Sequence, residues 1–123
     1  MTNPHERPVS TLHQETAQVL WNRPVDVHYR LLGLACSTHY RMSEPGQFVT
    51  LRLADETEPL LRRPFSIHRL IETNGNLSGI EILYKVVGTF TEKLSKIPVN
   101  AGVDLLGPLG RGFSIDPVRQ NIL

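Results

Sequence analysis

At 123 residues the chain has room for one domain with a core of its own and excludes a second full domain. Thirteen basic against twelve acidic residues give a formal net charge of +1, which excludes a broad field for nucleic acid or an anionic membrane, so any anion site must be local. The single cysteine, Cys36, excludes an internal disulfide, a cysteine-ligated iron–sulfur cluster and a Cys-based structural zinc site within one chain. It reads as a small buried apolar residue in a strand region from Leu31 to Ser37. The five histidines are scattered, with no pair at metal-site spacing, so none is expected to be a ligand. Met1 to Arg7 lack a signal-peptide apolar core and the apolar runs are too short to span a bilayer, so the chain reads as cytoplasmic.

The N-terminal segment, with two prolines before Ser10, is expected to be loosely held. Ala17, Val19 and Trp21 suggest a first strand, closed by a turn at Asn22-Arg23-Pro24. Val25, Val27, Tyr29 and Leu31 then alternate with Asp26, His28 and Arg30, as a strand with one buried face would. After a turn cluster at Ser43-Glu44-Pro45-Gly46, Val49, Leu51 and Leu53 alternate with Phe48, Thr50 and Arg52. Phe65, Ile67 and Arg69 mark a further strand, and Thr73-Asn74-Gly75-Asn76 marks a tight turn. Ile80, Ile82, Tyr84 and Val86 alternate with Glu81, Leu83, Lys85 and Val87, which favours a core position for Tyr84 over a reach to a ligand. One helix follows: Thr89 and Glu92 fit a capping box, Leu94 and Ile97 give an apolar face, and Pro98 stops it. A turn at Asn100-Ala101-Gly102 precedes a short strand from Val103 to Leu106. The glycine-rich run Gly107 to Phe113 permits tight turns and close backbone approach. Six short strands at this spacing predict an all-β fold, a small six-stranded antiparallel Greek-key barrel with one short helix.

The residues that point to chemistry are Arg62-Arg63-Pro64-Phe65-Ser66-Ile67-His68. A guanidinium grips phosphate through a planar fork of donors. Proline holds the residue before it extended, and in a strand Phe65 and Ser66 point to opposite faces. An extended, anionic, planar ligand asks for this set, and the amide-rich start of the helix offers a second contact for phosphate; the competing reading is a connecting helix that merely plugs a barrel end. For Arg63 the competing reading is a strand-end charge paired with Asp55, Glu56 or Glu58. A structural role weighs more heavily for Arg62.

Four segments in order carry a family likeness: Pro45 to Val49; Arg63 to Ile67; Tyr84 to Gly88 with Thr91, Leu94 and Ser95; and Leu106 to Gly110 with Gly112 and Phe113. Together they make residues 15–113 resemble the FAD-binding domain of the ferredoxin reductase family, nearest within it to the electron-transfer subunits of dihydroorotate dehydrogenases. The resemblance implies FAD as cofactor, with Arg63 on its pyrophosphate, Phe65 packed against the flavin and Ser66 near the flavin edge. Pro64 and Ile67 complete that motif. It also implies a second flavin segment at Gly88 and Thr91, where Phe90 stands in place of a glycine that many relatives carry, so that either the backbone approaches the phosphates less closely or the ring takes over a stacking role. Implied beyond this are electron passage from NAD(P)H through FAD and a [2Fe-2S] centre, a catalytic dehydrogenase partner, and a place in pyrimidine biosynthesis.

Neither the NAD(P)H domain nor the cluster cysteines of that family fall within these residues. The expected organisation is a flexible segment over 1–14, the FAD-binding barrel over 15–115, and over 116–123 a linker that begins a missing nucleotide-binding domain. On this reading the chain is a truncated product or an excised domain without catalytic competence of its own. The competing readings keep the flavin fold but serve a sulfide dehydrogenase, a bifurcating transhydrogenase or a hydrogenase, or replace the enzyme with a non-enzymatic barrel that binds another macromolecule.

Overall fold

Alternation of apolar and polar side chains is the force that builds this molecule, because each strand can bury one face only by closing a sheet on itself. The computed structural model describes residues 12–37, 47–53 and 62–110. In these, β1 (His13–Pro24), β2 (Tyr29–Ala35), β3 (Phe48–Leu53), β4 (Arg63–Thr73), β5 (Asn76–Lys85) and β6 (Gly102–Leu109) close a barrel in the order β1-β2-β5-β4-β3-β6. Every neighbouring pair is antiparallel. The helix α1 (Thr89–Ser95) connects β5 to β6. Among the described residues no helix is long and apolar enough to cross a membrane.

The interior is filled by Ala17 and Val19 of β1, Leu32 and Leu34 of β2, Val49, Leu51 and Leu53 of β3, Ile80, Ile82 and Tyr84 of β5, and Val103 and Leu105 of β6, with Phe90 and Leu94 of α1 closing one end. The alternating sets expected of β3 and of Ile80, Ile82 and Tyr84 in β5 therefore hold, with Val86 packed against the core just past the strand. Between β4 and β5, Asn74 and Gly75 both adopt positive φ, 54° and 80°, the two-residue hairpin turn that an Asn-Gly pair favours.

Two expectations fail, and each has a local cause. The alternation of Val25, Val27, Tyr29 and Leu31 does not describe a buried face: Val27 is 90% exposed, Val25 and Tyr29 are exposed, and the core side chains are Leu32 and Leu34. The Asp26 carboxylate accepts the amides of His28 and Tyr29, both at 2.8 Å, so residues 25–28 form the turn and β2 starts only at Tyr29. These two bonds hold the Asp26 carboxyl below its usual range. The strand β1 correspondingly runs through Asn22-Arg23-Pro24, where a turn was expected.

Trp21 also departs from the expected face. The pairing of β1 with β2 slips by one between Val19↔Leu34 and Trp21↔Gly33. A single extra residue in one strand reverses which face the following side chains take. Trp21 accordingly lies outside the barrel, with its indole over Gly33, where a Cβ would fall 2.5 Å from the ring. Its Nε1–H donates to Glu81 Oε2 at 2.9 Å, and Arg69 Nε donates to Oε1 at 2.7 Å, so the 1%-exposed Glu81 is paired on both oxygens.

The same slip turns Asn22 inward, where it anchors the helix. Asn22 Nδ2 donates to the carbonyls of Leu94 (2.8 Å) and Ile97 (3.1 Å), and Asn22 Oδ1 accepts the Tyr84 hydroxyl at 2.9 Å. These bonds tie the end of α1 to β1, in addition to the Ile97 amide that the Leu94 carbonyl accepts at 3.2 Å. Burial raises the Tyr84 hydroxyl above its usual pKa, against the opposing pull of Arg30 and Asn22.

Candidate functional site

The start of α1 is built by a different residue from the one expected. Gly88, not Thr89, is the N-cap, and it is Thr91, not Glu92, that reaches back. Thr91 Oγ1 accepts the amides of Val87 (2.8 Å) and Gly88 (3.1 Å) and donates to the Gly88 carbonyl (3.2 Å). A threonine three residues after a glycine cap satisfies two backbone donors at once and so fixes the strand-to-helix corner. The predicted helix face is otherwise present: Leu94 is buried, Ile97 packs against the core, and Phe90, one turn before Leu94, is buried as well.

That corner faces the beginning of β4 across a groove of about 420 Å³, lined by Arg63, Pro64 and Phe65 from β4 and by Val87, Gly88, Thr89, Phe90 and Thr91 from the β5–α1 junction. A space of this size falls within the range of small-molecule and cofactor sites. Two segments 25 residues apart in sequence thus meet in one cleft because β4 and β5 are neighbours in the barrel. On the floor Phe65 lies nearly parallel to Phe90, ring centroids 6.0 Å apart at 28°, and edge-on to Tyr84 at 6.2 Å and 78°. The Arg63 guanidinium carbon lies 5.4 Å from the centre of the Phe90 ring, within cation–π range. At Gly88 the backbone is extended, and a Cβ there would meet nothing within 4 Å, so the chain is open to the groove at that point.

Of the seven residues singled out from sequence, Arg63, Pro64, Phe65, Gly88 and Thr91 share this groove. Ser66 and Ile67 do not line it. Ser66 is exposed on the other side of β4, opposite Phe48 in β3, and Ile67 packs against the core. Arg62 points away from the groove: its Nη2 donates to Asp104 Oδ1 at 2.6 Å on the outer wall, where Arg52 Nη2 reaches Oδ2 at 3.0 Å and Gln14 adds a further bond. Burial alone would raise the Asp104 carboxyl, but the Arg62 bond and charge, with Gln14 and Arg52, outweigh it and hold the group below its ordinary range. The acids weighed as alternative partners of Arg63, Asp55, Glu56 and Glu58, lie outside the described residues. So do Pro45 and Gly46, and the end of the glycine-rich run. Cys36 follows β2 half-buried; desolvation, aided by the Glu15 charge, pushes its thiol up to about 12, an inert group.

From sequence, Phe90 was a ring in a glycine's place, open either to a less close backbone approach or to a stacking role. Its spacing of four from the core residue Leu94 was the signal that it belongs to the inner face of α1.

Comparison with known proteins finds relatives in sequence and in fold. Over 75 residues the chain is 45% identical to the electron transfer subunit of dihydroorotate dehydrogenase B (NAD(+)) from Desulforamulus reducens, a match covering 61% of this chain and 28% of that protein. Over 108 residues it is 33% identical to the same subunit from a Geobacillus species, covering 88% of this chain and 41% of the relative. The chain is a homologue of these electron transfer subunits. It spans less than half the length of either. No protein-family model matches it. Among solved structures, an NADH-dependent reduced ferredoxin-NADP oxidoreductase studied for flavin-based electron bifurcation superposes with a TM-score of 0.66 at 24% identity, covering 80% of this chain and 36% of that one. The barrel is thus of the ferredoxin reductase type, as its motifs implied.

Proposed function

We propose that the chain is the FAD-binding barrel of an electron transfer subunit, one that passes electrons from NAD(P)H through FAD to a catalytic partner, with dihydroorotate dehydrogenase the favoured acceptor. The observation that carries this reading is the convergence of Arg63 from β4 with Gly88 and Thr91 from the α1 corner on one groove. The groove fits the ligand chemically. A guanidinium at its edge suits a diphosphate, an aromatic floor suits a flat ring system, and the open backbone at Gly88 allows close approach. Both the electron transfer subunit relatives and the flavin-based enzyme of the same fold support FAD as the occupant.

In this role Arg63 binds the pyrophosphate, Pro64 keeps Arg63 extended so that its fork reaches the groove, and Phe65 orients the flavin by packing. Gly88 admits the ligand to the backbone, and Thr91 holds the corner rigid by occupying the Val87 and Gly88 amides. Ile67 fixes β4 against the core and so fixes the position of Phe65. Ser66, on the other face of β4, is assigned to the flavin edge by family likeness. Bound FAD would supply the ability to accept two electrons as hydride and release them singly, while the protein supplies placement and exclusion of water. The step needs no general acid or base from the chain. The [2Fe-2S] centre and the NAD(P)H site belong to the full-length relatives in this reading.

The test is a flavin absorption spectrum and a thermal melt of the purified protein with and without added FAD. Binding should red-shift and structure the flavin band and raise Tm in proportion to FAD concentration. A featureless spectrum and an unmoved Tm at saturating FAD would sink the proposal.

A further inference from the structure

We propose that Phe90 is a positioning residue for the groove: its largely buried ring sets the Arg63 guanidinium and the Phe65 side chain in the arrangement that receives an anionic, planar ligand, rather than serving as the stacking partner itself. The ligand's identity as FAD rests on the reading above, whereas the positioning itself is a property of the ligand-free protein.

Phe90 borders the groove but is only 7% exposed, so little of its ring is open for a ligand to stack on. Two of its neighbours nevertheless belong to the groove. The Phe65 ring lies 28° from parallel with it at 6.0 Å, and the Arg63 guanidinium sits 5.4 Å from its centre. A guanidinium held within cation–π range of a ring loses part of the freedom of its flexible stem, which keeps its planar fork of donors near the groove edge. The ring is itself held at both ends of a short aromatic chain. Phe65 meets Tyr84 edge-on, and the Tyr84 hydroxyl bonds Asn22, whose amide holds the carbonyls of Leu94 and Ile97. The first turn of α1 is thereby tied to β4 through Phe90, and its last turn to β1 through Asn22. A leucine at position 90 would fill much of the same space but offer neither a π face to Arg63 nor a flat partner to Phe65.

The experiment is a double-mutant cycle combined with a measurement on the free protein. FAD affinity is titrated by flavin fluorescence for the wild type, Phe90→Leu, Arg63→Ala and the double variant, and the Arg63 side-chain proton shifts are recorded by NMR without ligand. In the wild type the Arg63 protons should be displaced upfield by the ring, and Phe90→Leu should return them to ordinary arginine positions. Phe90→Leu should weaken FAD binding about three- to tenfold, the scale of a lost cation–π contact. The loss should be clearly smaller in the Arg63→Ala background, where only the Phe65 share remains, whereas a ring that only fills the core would cost the same in both. Unshifted Arg63 protons in the wild type, or equal losses in both backgrounds, overturn the proposal; the first of these readings stands even if Phe90→Leu fails to fold. If the wild type does not bind FAD at all while the ring-induced shift is present and lost in Phe90→Leu, the flavin reading falls and the positioning role remains.

Discussion

Arg62 and Arg63 are adjacent in sequence and sit in two regions with opposite logic. Arg62 lies on the outer wall, where its charge is matched by Asp104 across a 2.6 Å bond, with Arg52 and Gln14 on the same carboxylate. Arg63 lies over the Phe90 ring at the edge of an open groove. A strand sends neighbouring side chains to opposite faces, and that alternation splits one dibasic pair into a structural clamp and a candidate ligand contact. The wall should respond to mutation through stability and the groove through ligand affinity.

The largest effect expected is on the wall. Asp104→Ala leaves Arg52 and Arg62 facing one another without their shared carboxylate and should destabilise the fold by about 2–4 kcal/mol, read as a lowered urea midpoint. FAD affinity of the folded fraction should stay within about twofold. In the groove the pattern reverses: Arg63→Ala should weaken FAD binding roughly ten- to a hundredfold, about 1.4–2.7 kcal/mol, with a smaller change in the urea midpoint than Asp104→Ala produces. If Arg63→Ala unfolds the protein as readily as Asp104→Ala does, the two regions do not divide the work in this way.

Acid sharpens the contrast. The Asp104 carboxyl is held below its ordinary value in the folded state, so its stabilising contribution is complete above the unfolded carboxylate pKa of about 3.9 and is lost as pH falls through the lower folded value. Urea midpoints measured from neutral pH downward should show that acid loss, and Asp104→Asn should flatten it. The smallest effect concerns Gly88. Its extended backbone suits any residue and its surroundings are empty, so Gly88→Ala should leave Tm unchanged while lowering FAD affinity a fewfold, by standing where the ligand approaches. A normal affinity for that variant would move the ligand away from the α1 corner.

Much of this was legible in the sequence because apolar alternation writes the interior of β3, β5 and β6 directly into residues such as Val49, Leu51, Ile80, Ile82 and Val103. The groove was legible as well, since its two halves come from motifs whose strands are barrel neighbours. What escaped were features decided by one residue. The slip after Val19 that turns Trp21 out and Asn22 in leaves no mark on composition. Near β2 both alternation patterns are apolar, Val27, Tyr29 and Leu31 against Leu32 and Leu34, so periodicity alone could not choose; the Asp26 turn chose. At the helix start a Thr89–Glu92 box and a Gly88–Thr91 cap overlap by one position, and the shorter threonine, held against its own backbone, took the cap.

The measurement that tests the central claim most directly is a comparative titration of FAD and riboflavin against the wild type and Arg63→Ala. If Arg63 recognises the diphosphate, the wild type will bind FAD more tightly than riboflavin, and Arg63→Ala will remove most of that advantage while leaving riboflavin affinity nearly unchanged. Equal affinities for the two ligands in the wild type, or an FAD advantage that survives Arg63→Ala, would contradict it.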